Sequence, residues 1–240
     1  MLLKLCAESI RGKRCSQKAL DNTTVLSTID IIKYKNQRGD TNMQQHQLRS
    51  TQTGKILFEA HAATLKDCVE QAVNAGIDLS FADLRHADLS CAMLDGGRFD
   101  GADFTEANLS GANLSEASLR GVHFKNAALY NACLCLSDLS GCDFQGADFG
   151  ATDIHGTLLS RAVFSTLSCF TLDFFGAEDM KSCTFIDAHG ITTLFSQPPV
   201  VVKGLGASPL IFIGGTIRSG HERLFPATDI SIPNRVARTA

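Results

Sequence analysis

The sequence predicts an all-β solenoid, a chain wound into stacked coils, and two periodic features carry the prediction. Every fifth residue from Leu79 to Phe164 is Leu, Phe or Ile, 18 positions without a miss. Two places before these residues, from 82 to 162, stands a small or short residue: mostly Ala, with Gly97, Val122, Ser137, Cys142, Thr152 and Thr157 in the gaps. An α-helix turns about 100° per residue, so a fivefold spacing scatters the bulky side chains around its axis. A straight strand alternates faces with period two, so an odd spacing sends every second bulky residue into water. The beat fits a chain that bends once per quintet, each short side pointing its Leu or Phe inward. Stacked coils then pair their backbone groups at about 4.8 Å, and such repeats bury a core only by stacking.

The elements follow in chain order. Residues 1–42 show no sustained period and mix polar with basic side chains such as Lys33, Lys35 and Arg38. They read as a disordered or optional N-terminal extension, with Met43 opening the segment that resembles a natural start. A strand-and-helix unit spans 43–76. Lys55 to Ala60 alternates weakly, as a strand does, and Thr64 is an N-cap for a helix over about 65–75. Leu65, Cys68, Val69, Ala72 and Val73 form that helix's apolar face, and Gly76 stops it. Its expected task is to cover the lower end of the stack, where apolar surface and backbone are otherwise open to water.

The repeat region spans 77–189. After Phe164 the phase slips by one residue and is expected to resume at Phe170, Phe175, Met180 and Phe185, four poorer quintets. Residues 190–240 read as a C-terminal β cap and a loose basic tail. Val200-Val201-Val202 and Leu210-Ile211-Phe212-Ile213 are strand-like runs bounded by Gly204, Gly206 and Pro209, and the tail begins near Phe225.

The quintets themselves have a recognisable form: Ala82-Asp83-Leu84-Arg85-His86, Ala87-Asp88-Leu89-Ser90-Cys91, Ala112-Asn113-Leu114-Ser115-Glu116. This A-D/N-L pattern closely resembles the pentapeptide-repeat family. The resemblance implies a right-handed, quadrilateral β-helix with four quintets per coil, here about 5.5 coils and roughly 25 Å long at the strand spacing. It also implies a possible role, because quinolone-resistance proteins of that family imitate B-DNA and occupy the DNA saddle of gyrase or topoisomerase IV.

Charge is unevenly placed. Residues 78–187 hold 16 Asp/Glu against 6 Lys/Arg, net −10, whereas residues 1–77 are net +4 and 188–240 net +3. An acidic barrel argues against direct nucleic-acid binding. Nine Cys, an odd number, show no C-x-x-C pair and no zinc spacing, and Cys142 and Cys183 fall in the small inward slot. That usage fits a reducing cytoplasm, and the start of the chain offers neither a secretory signal nor a membrane span.

The sequence gives no reason to expect an enzyme, a cofactor or a metal: there is no nucleophile elbow, no H-E-x-x-H, and Gly214-Gly215 lacks a phosphate-loop Lys-Ser/Thr. Asp before the bulky Leu accepts hydrogen bonds at bends without any catalytic role. The expected function is that of a non-enzymatic protein-interaction module on a rigid acidic β-helix, the alternatives being a DNA mimic that binds a type II topoisomerase and a structural component of a larger assembly. Asp83, Asp103, Glu106 and Asp143 form the best acidic stripe, although Arg85 and Lys125 share its side. Outward Phe81, Tyr130, Leu136 and Leu158 are candidate anchors, since apolar residues outside a polar repeat call for an explanation. DNA carries one charge per about 1.7 Å of axis, so a 25 Å rod matches it only with about 15 negative charges. A homodimer formed through the C-terminal region is the expected way to lengthen the rod.

Overall fold

The computed structural model describes residues 43–202, 210–219 and 222–226. The expectations for residues 1–42 and for the tail beyond Pro226 lie outside the described residues. The chain opens with an antiparallel hairpin, β1 (Gln44–Arg49) and β2 (Ile56–Ala62), followed by helix α1 (Leu65–Asn74). Thr64 and Asp67 form a reciprocal cap: the Thr64 hydroxyl accepts from Asp67 N–H at 3.1 Å, and the Asp67 carboxylate accepts from Thr64 N–H at 3.1 Å. Cys68, Val69 and Ala72 face inward.

From Ile77 onward the chain comes back to itself every twenty residues. Parallel bridges join Asp78 to Arg98, Asp83 to Asp103, Asp88 to Asn108 and Met93 to Asn113, and the same step continues up to Asp138 and Leu158. Twenty residues are four quintets, and each quintet contains one tight turn. In Leu79-Ser80-Phe81-Ala82, Ala82 N–H donates to the Leu79 carbonyl at 3.0 Å, with Phe81 at φ +60 in the position where a type II turn requires positive φ. Glycine fills that corner at 96, 101, 111, 121, 141, 146 and 156; among the described residues eleven non-glycines carry positive φ, most of them at the same corner.

Between corners, N–H and C=O groups alternate their pairing. Leu89 N–H donates to Asn108 C=O at 2.8 Å, and Asn108 N–H donates back to Ala87 C=O at 2.9 Å. All 18 bulky residues from Leu79 to Phe164 are buried. Phe104, Phe124, Phe144 and Phe164 form one column of near-parallel rings with centroids 5.4, 5.2 and 5.4 Å apart.

The lowest coil would leave N–H groups facing away from the stack, and the N-terminal unit takes them. Asp83 N–H donates to Arg49 C=O at 2.8 Å, and Met93 N–H to the Glu70 carboxylate at 2.9 Å. Lys66 Nζ adds a bond to Ser90 C=O at 3.2 Å.

The phase slip after Phe164 has a structural cause and corrects two expected core positions. Strands β3 (Asp143–Phe144), β4 (Val163–Ser165) and β5 (Cys183–Ile186) pair in parallel, but the step lengthens from 20 residues between β3 and β4 to 21 between β4 and β5. Helix α2 (Thr166–Thr171) and a 3-10 turn over Phe174–Gly176 lie within that interval. The helical backbone breaks the fivefold beat, so Phe175 is 91% exposed and Phe170 only half-buried, while Cys169, Leu172 and Phe174 turn inward. Met180 and Phe185 are buried as expected. Strand β6 (Thr192–Phe195) pairs antiparallel with β5, and its Phe195 closes the column against Phe164 and Phe174 at 5.9 and 6.1 Å. A second antiparallel sheet follows, ordered β10 (Glu222–Pro226), β9 (Thr216–Ser219), β8 (Leu210–Ile213), β7 (Val200–Val202). Phe225 pairs with Ile217 in β10–β9, and the strand runs to Pro226, where the described residues end.

Candidate functional site

The twenty-residue step places Asp83, Asp103, His123 and Asp143 in one row, each bridged to the next. Each aspartate first serves its own turn, accepting from the N–H two residues on: Arg85 at 3.4 Å, Thr105 at 2.9 Å and Gln145 at 3.1 Å. The row is then partly compensated from within. Arg85 holds Asp83 at 2.7 Å and reaches Asp103 at 3.8 Å, Lys125 meets Asp143 at 3.1 Å, and His86 lies 3.0 Å from Glu106. The Arg85 hydrogen bond holds the Asp83 carboxyl below the usual carboxylate range against a smaller opposing effect of burial.

Other rows repeat the arrangement. Arg98 pairs with Asp78, Arg120 with Asp138 and Lys181 with Asp179, so five of the six cations between 78 and 187 sit on an aspartate. These are exposed pairs that add little to stability, and their main effect is on the surface potential.

The apolar candidates have a different geometry. Tyr130 is 47% and Leu136 61% exposed, and they lie six residues apart within one twenty-residue return. Each rests on the glycine one return further along: Tyr130 on Gly150, and Leu136 with Cδ2 2.6 Å from where a Cβ on Gly156 would sit. A side chain there would lift either residue away. Leu158 is half-buried, bridged between Asp138 and Asp179, and follows the corner after Leu136 by one return. Phe81 stands apart: its row continues through Gly101, Gly121 and Gly141, its ring lies on Gly101, and its carbonyl accepts from Thr51 N–H at 2.8 Å. Tyr130, Leu136 and Leu158 thus lie at different places along the twenty-residue return, and Phe81 is tied to the N-terminal hairpin through Thr51.

Sequence reasoning passed over one feature. Cys133 and Cys135 flank inward Leu134, so both thiols point outward, with sulfurs 3.2 Å apart. The i, i+2 spacing about a core position was the available signal. Among the described residues there is no cluster of three or more His, Cys, Asp or Glu side chains able to hold a metal ion. A groove beside α2 is lined mainly by Phe170, Leu172, Phe174, Phe175, Pro198 and Val201, with Asp173 the one titratable side chain along it.

Corner turns, inward Leu or Phe and parallel bridges twenty residues apart define a β-helical repeat scaffold. A family model for pentapeptide repeats matches in eight copies, over residues 75–105 and 102–141. The chain belongs to the pentapeptide-repeat family. It is similar to the pentapeptide repeat protein alr5209 from Nostoc Pcc 7120, with 30% identity over 43% of this chain and 81% of that one, at a TM-score of 0.31. It is likewise similar to Rfr23 from the cyanobacterium Cyanothece 51142, with 30% identity over 36% of this chain and a TM-score of 0.36; the chain spans 60% of that protein's length. QnrB1, a plasmid-mediated fluoroquinolone resistance protein, shares 18% identity over 45% of this chain and 76% of its own, at a TM-score of 0.25. No curated protein matches the chain.

Proposed function

We propose that this protein is a non-enzymatic protein-interaction module, a rigid β-helix that presents Tyr130, Leu136 and Leu158 to a protein partner. The observation that carries the reading is the exposure of Tyr130 and Leu136, at 47% and 61%, on the outer surface of the repeat region. Large apolar and aromatic side chains held on a stiff surface lose little conformational freedom on binding, which suits them to be anchors. In this reading residues 77–189 form a right-handed quadrilateral β-helix of about 5.5 coils at four quintets each. Residues 43–76 cap one end, strands β6 to β10 cap the other and offer a homodimer contact, and the protein works in the cytoplasm without binding nucleic acid or membrane.

The DNA-mimic alternative rests on the net charge of −10 between 78 and 187. It is disfavoured because the stripe it needs, Asp83, Asp103, Glu106 and Asp143, is internally paired. About 15 charges would match B-DNA over this length. The third reading, a structural component of a larger assembly, would use the same rod without the anchors.

Two measurements test the choice. Gyrase supercoiling with a rising excess of protein should proceed unchanged. Inhibition that disappears when Asp83, Asp103 and Asp143 are all changed to Asn would establish the mimic instead. Affinity capture should recover a partner with wild type and lose it with Leu136→Gly or Tyr130→Ser. Leu136 has φ +60, where glycine is at ease, so Leu136→Gly should hold stability level or raise it by up to about 1 kcal/mol. Equal recovery with all three proteins would remove these residues as anchors.

A further inference from the structure

We infer that Cys133 and Cys135 form a reversible dithiol site on the outer surface of the β-helix, oxidised by a small-molecule disulfide of the glutathione class. Both side chains are part-exposed and their sulfurs stand 3.2 Å apart, with only Leu134 between them. A disulfide needs about 2.05 Å, so bond formation requires the sulfurs to approach by only about 1.1 Å. Leu134 is fully buried and the Ser137 N–H to Leu134 C=O turn bond, 3.2 Å, closes the corner behind it. The backbone therefore holds the two thiols on one face whether or not they are joined.

The other described cysteines lack this arrangement. Cys142, Cys169 and Cys183 are buried in the core, where Cys142 and Cys183 donate to backbone carbonyls. Cys91 is exposed and lies against Gly111.

The chemistry balances without a metal or an enzyme. The Cys133 thiolate attacks one sulfur of glutathione disulfide; that S–S bond breaks and one glutathione thiolate leaves, giving a mixed disulfide. Cys135 then gives its proton to solvent, attacks the Cys133 sulfur and displaces the second glutathione. Two protein thiols are oxidised and one glutathione disulfide is reduced to two glutathiones. Burial, with the Cys133 and Asp153 contacts adding to it, pushes the Cys135 thiol up to about 12, and its sulfur, 3.2 Å from that of Cys133, is placed for the intramolecular second step. A ring closed over one intervening residue is strained and is readily reversed by reductant.

The test uses the full chain, equilibrated in glutathione buffers of rising disulfide share, alkylated in the native state, digested and read by mass spectrometry. Tryptic cleavage at Lys125 and Arg161 leaves Cys133, Cys135 and Cys142 in one peptide, so fragment ions locate the bond. The expected result is that Cys133 and Cys135 lose reactivity together, their fragment becomes two hydrogens lighter, and dithiothreitol restores both thiols. Cys133→Ser should abolish the loss while Cys142→Ala, which installs the side chain most quintets carry in that slot, should keep it. Circular dichroism of each variant confirms that it is folded. Full alkylation of both thiols at the highest disulfide share, separate glutathione adducts on each, or a bond from either one to another cysteine would overturn the inference.

Discussion

Phe124 is the sharpest test of the stacked interior. Its ring is fully buried and lies between Phe104 and Phe144, with centroids 5.4 and 5.2 Å away and planes 12° and 5° from parallel. Phe124→Ala removes both contacts and opens a cavity that the flanking coils, fixed by their own bridges, cannot close. The expected cost is about 3–5 kcal/mol. Phe124→Leu keeps an apolar filler of the kind used in the neighbouring columns and loses only the ring-on-ring term, about 0.5–1.5 kcal/mol per pair, or roughly 1–3 kcal/mol for the two. Equilibrium urea unfolding followed by far-UV circular dichroism measures both. Phe175→Ala, at a residue 91% exposed, is the control and should stay within about 0.5 kcal/mol of wild type. A loss below about 1 kcal/mol for Phe124→Ala, or equal losses for all three variants, would refute the ladder as a source of stability.

Leu114→Asp buries an unpaired charge mid-stack and should cost several kcal/mol or abolish folding, whereas Ser115→Asp, one residue on and outward, should be nearly silent; similar expression and melting of the two would show the inward assignment to be wrong. Acidification should also weaken the rod. The Ser80 hydroxyl lowers Asp78 and Arg85 lowers Asp83; at Asp138 burial pulls upward but is outweighed by Ser140 and Arg120, so all three carboxyls sit below their usual range. Their stabilisation is complete above the unfolded value of about 3.9 and is lost as pH falls through the lower folded values. Thermal midpoints recorded from pH 5 to pH 2 should therefore drop, and Asp83→Asn with Asp138→Asn should flatten the curve; a wild-type midpoint constant over that range would contradict the assignment.

Much of this architecture is legible in the sequence because a period of five leaves the backbone few choices. Leu79 through Phe164 could be assigned inward from spacing alone, and Thr64 to Gly76 carries both a cap and a stop. The reading failed where local backbone replaced periodicity. Helix α2 contains Leu167 and Phe170 at a spacing that a fivefold count cannot interpret, which displaced the expected core from Phe175 to Phe174. The acidic stripe was legible as a row, and its internal pairing only in part. Arg85 and Lys125 could be placed on the stripe's side from the twenty-residue return, whereas that Lys125 meets Asp143 at 3.1 Å and His86 lies 3.0 Å from Glu106 needs the side-chain geometry. Tyr130 and Leu136 were legible as outward apolar residues; that each depends on a bare glycine on the adjoining coil was not.

The twenty-residue return also limits how such a chain can change its size. Removing or duplicating a block such as 97–116 leaves every Phe above a Phe-compatible slot and every corner above a corner, whereas a change of five or ten residues would rotate all later columns onto the wrong neighbours. Below Thr166 the molecule is therefore a ruler graduated in whole coils, and its reach toward a partner can grow or shrink only in steps of one strand spacing, about 4.8 Å.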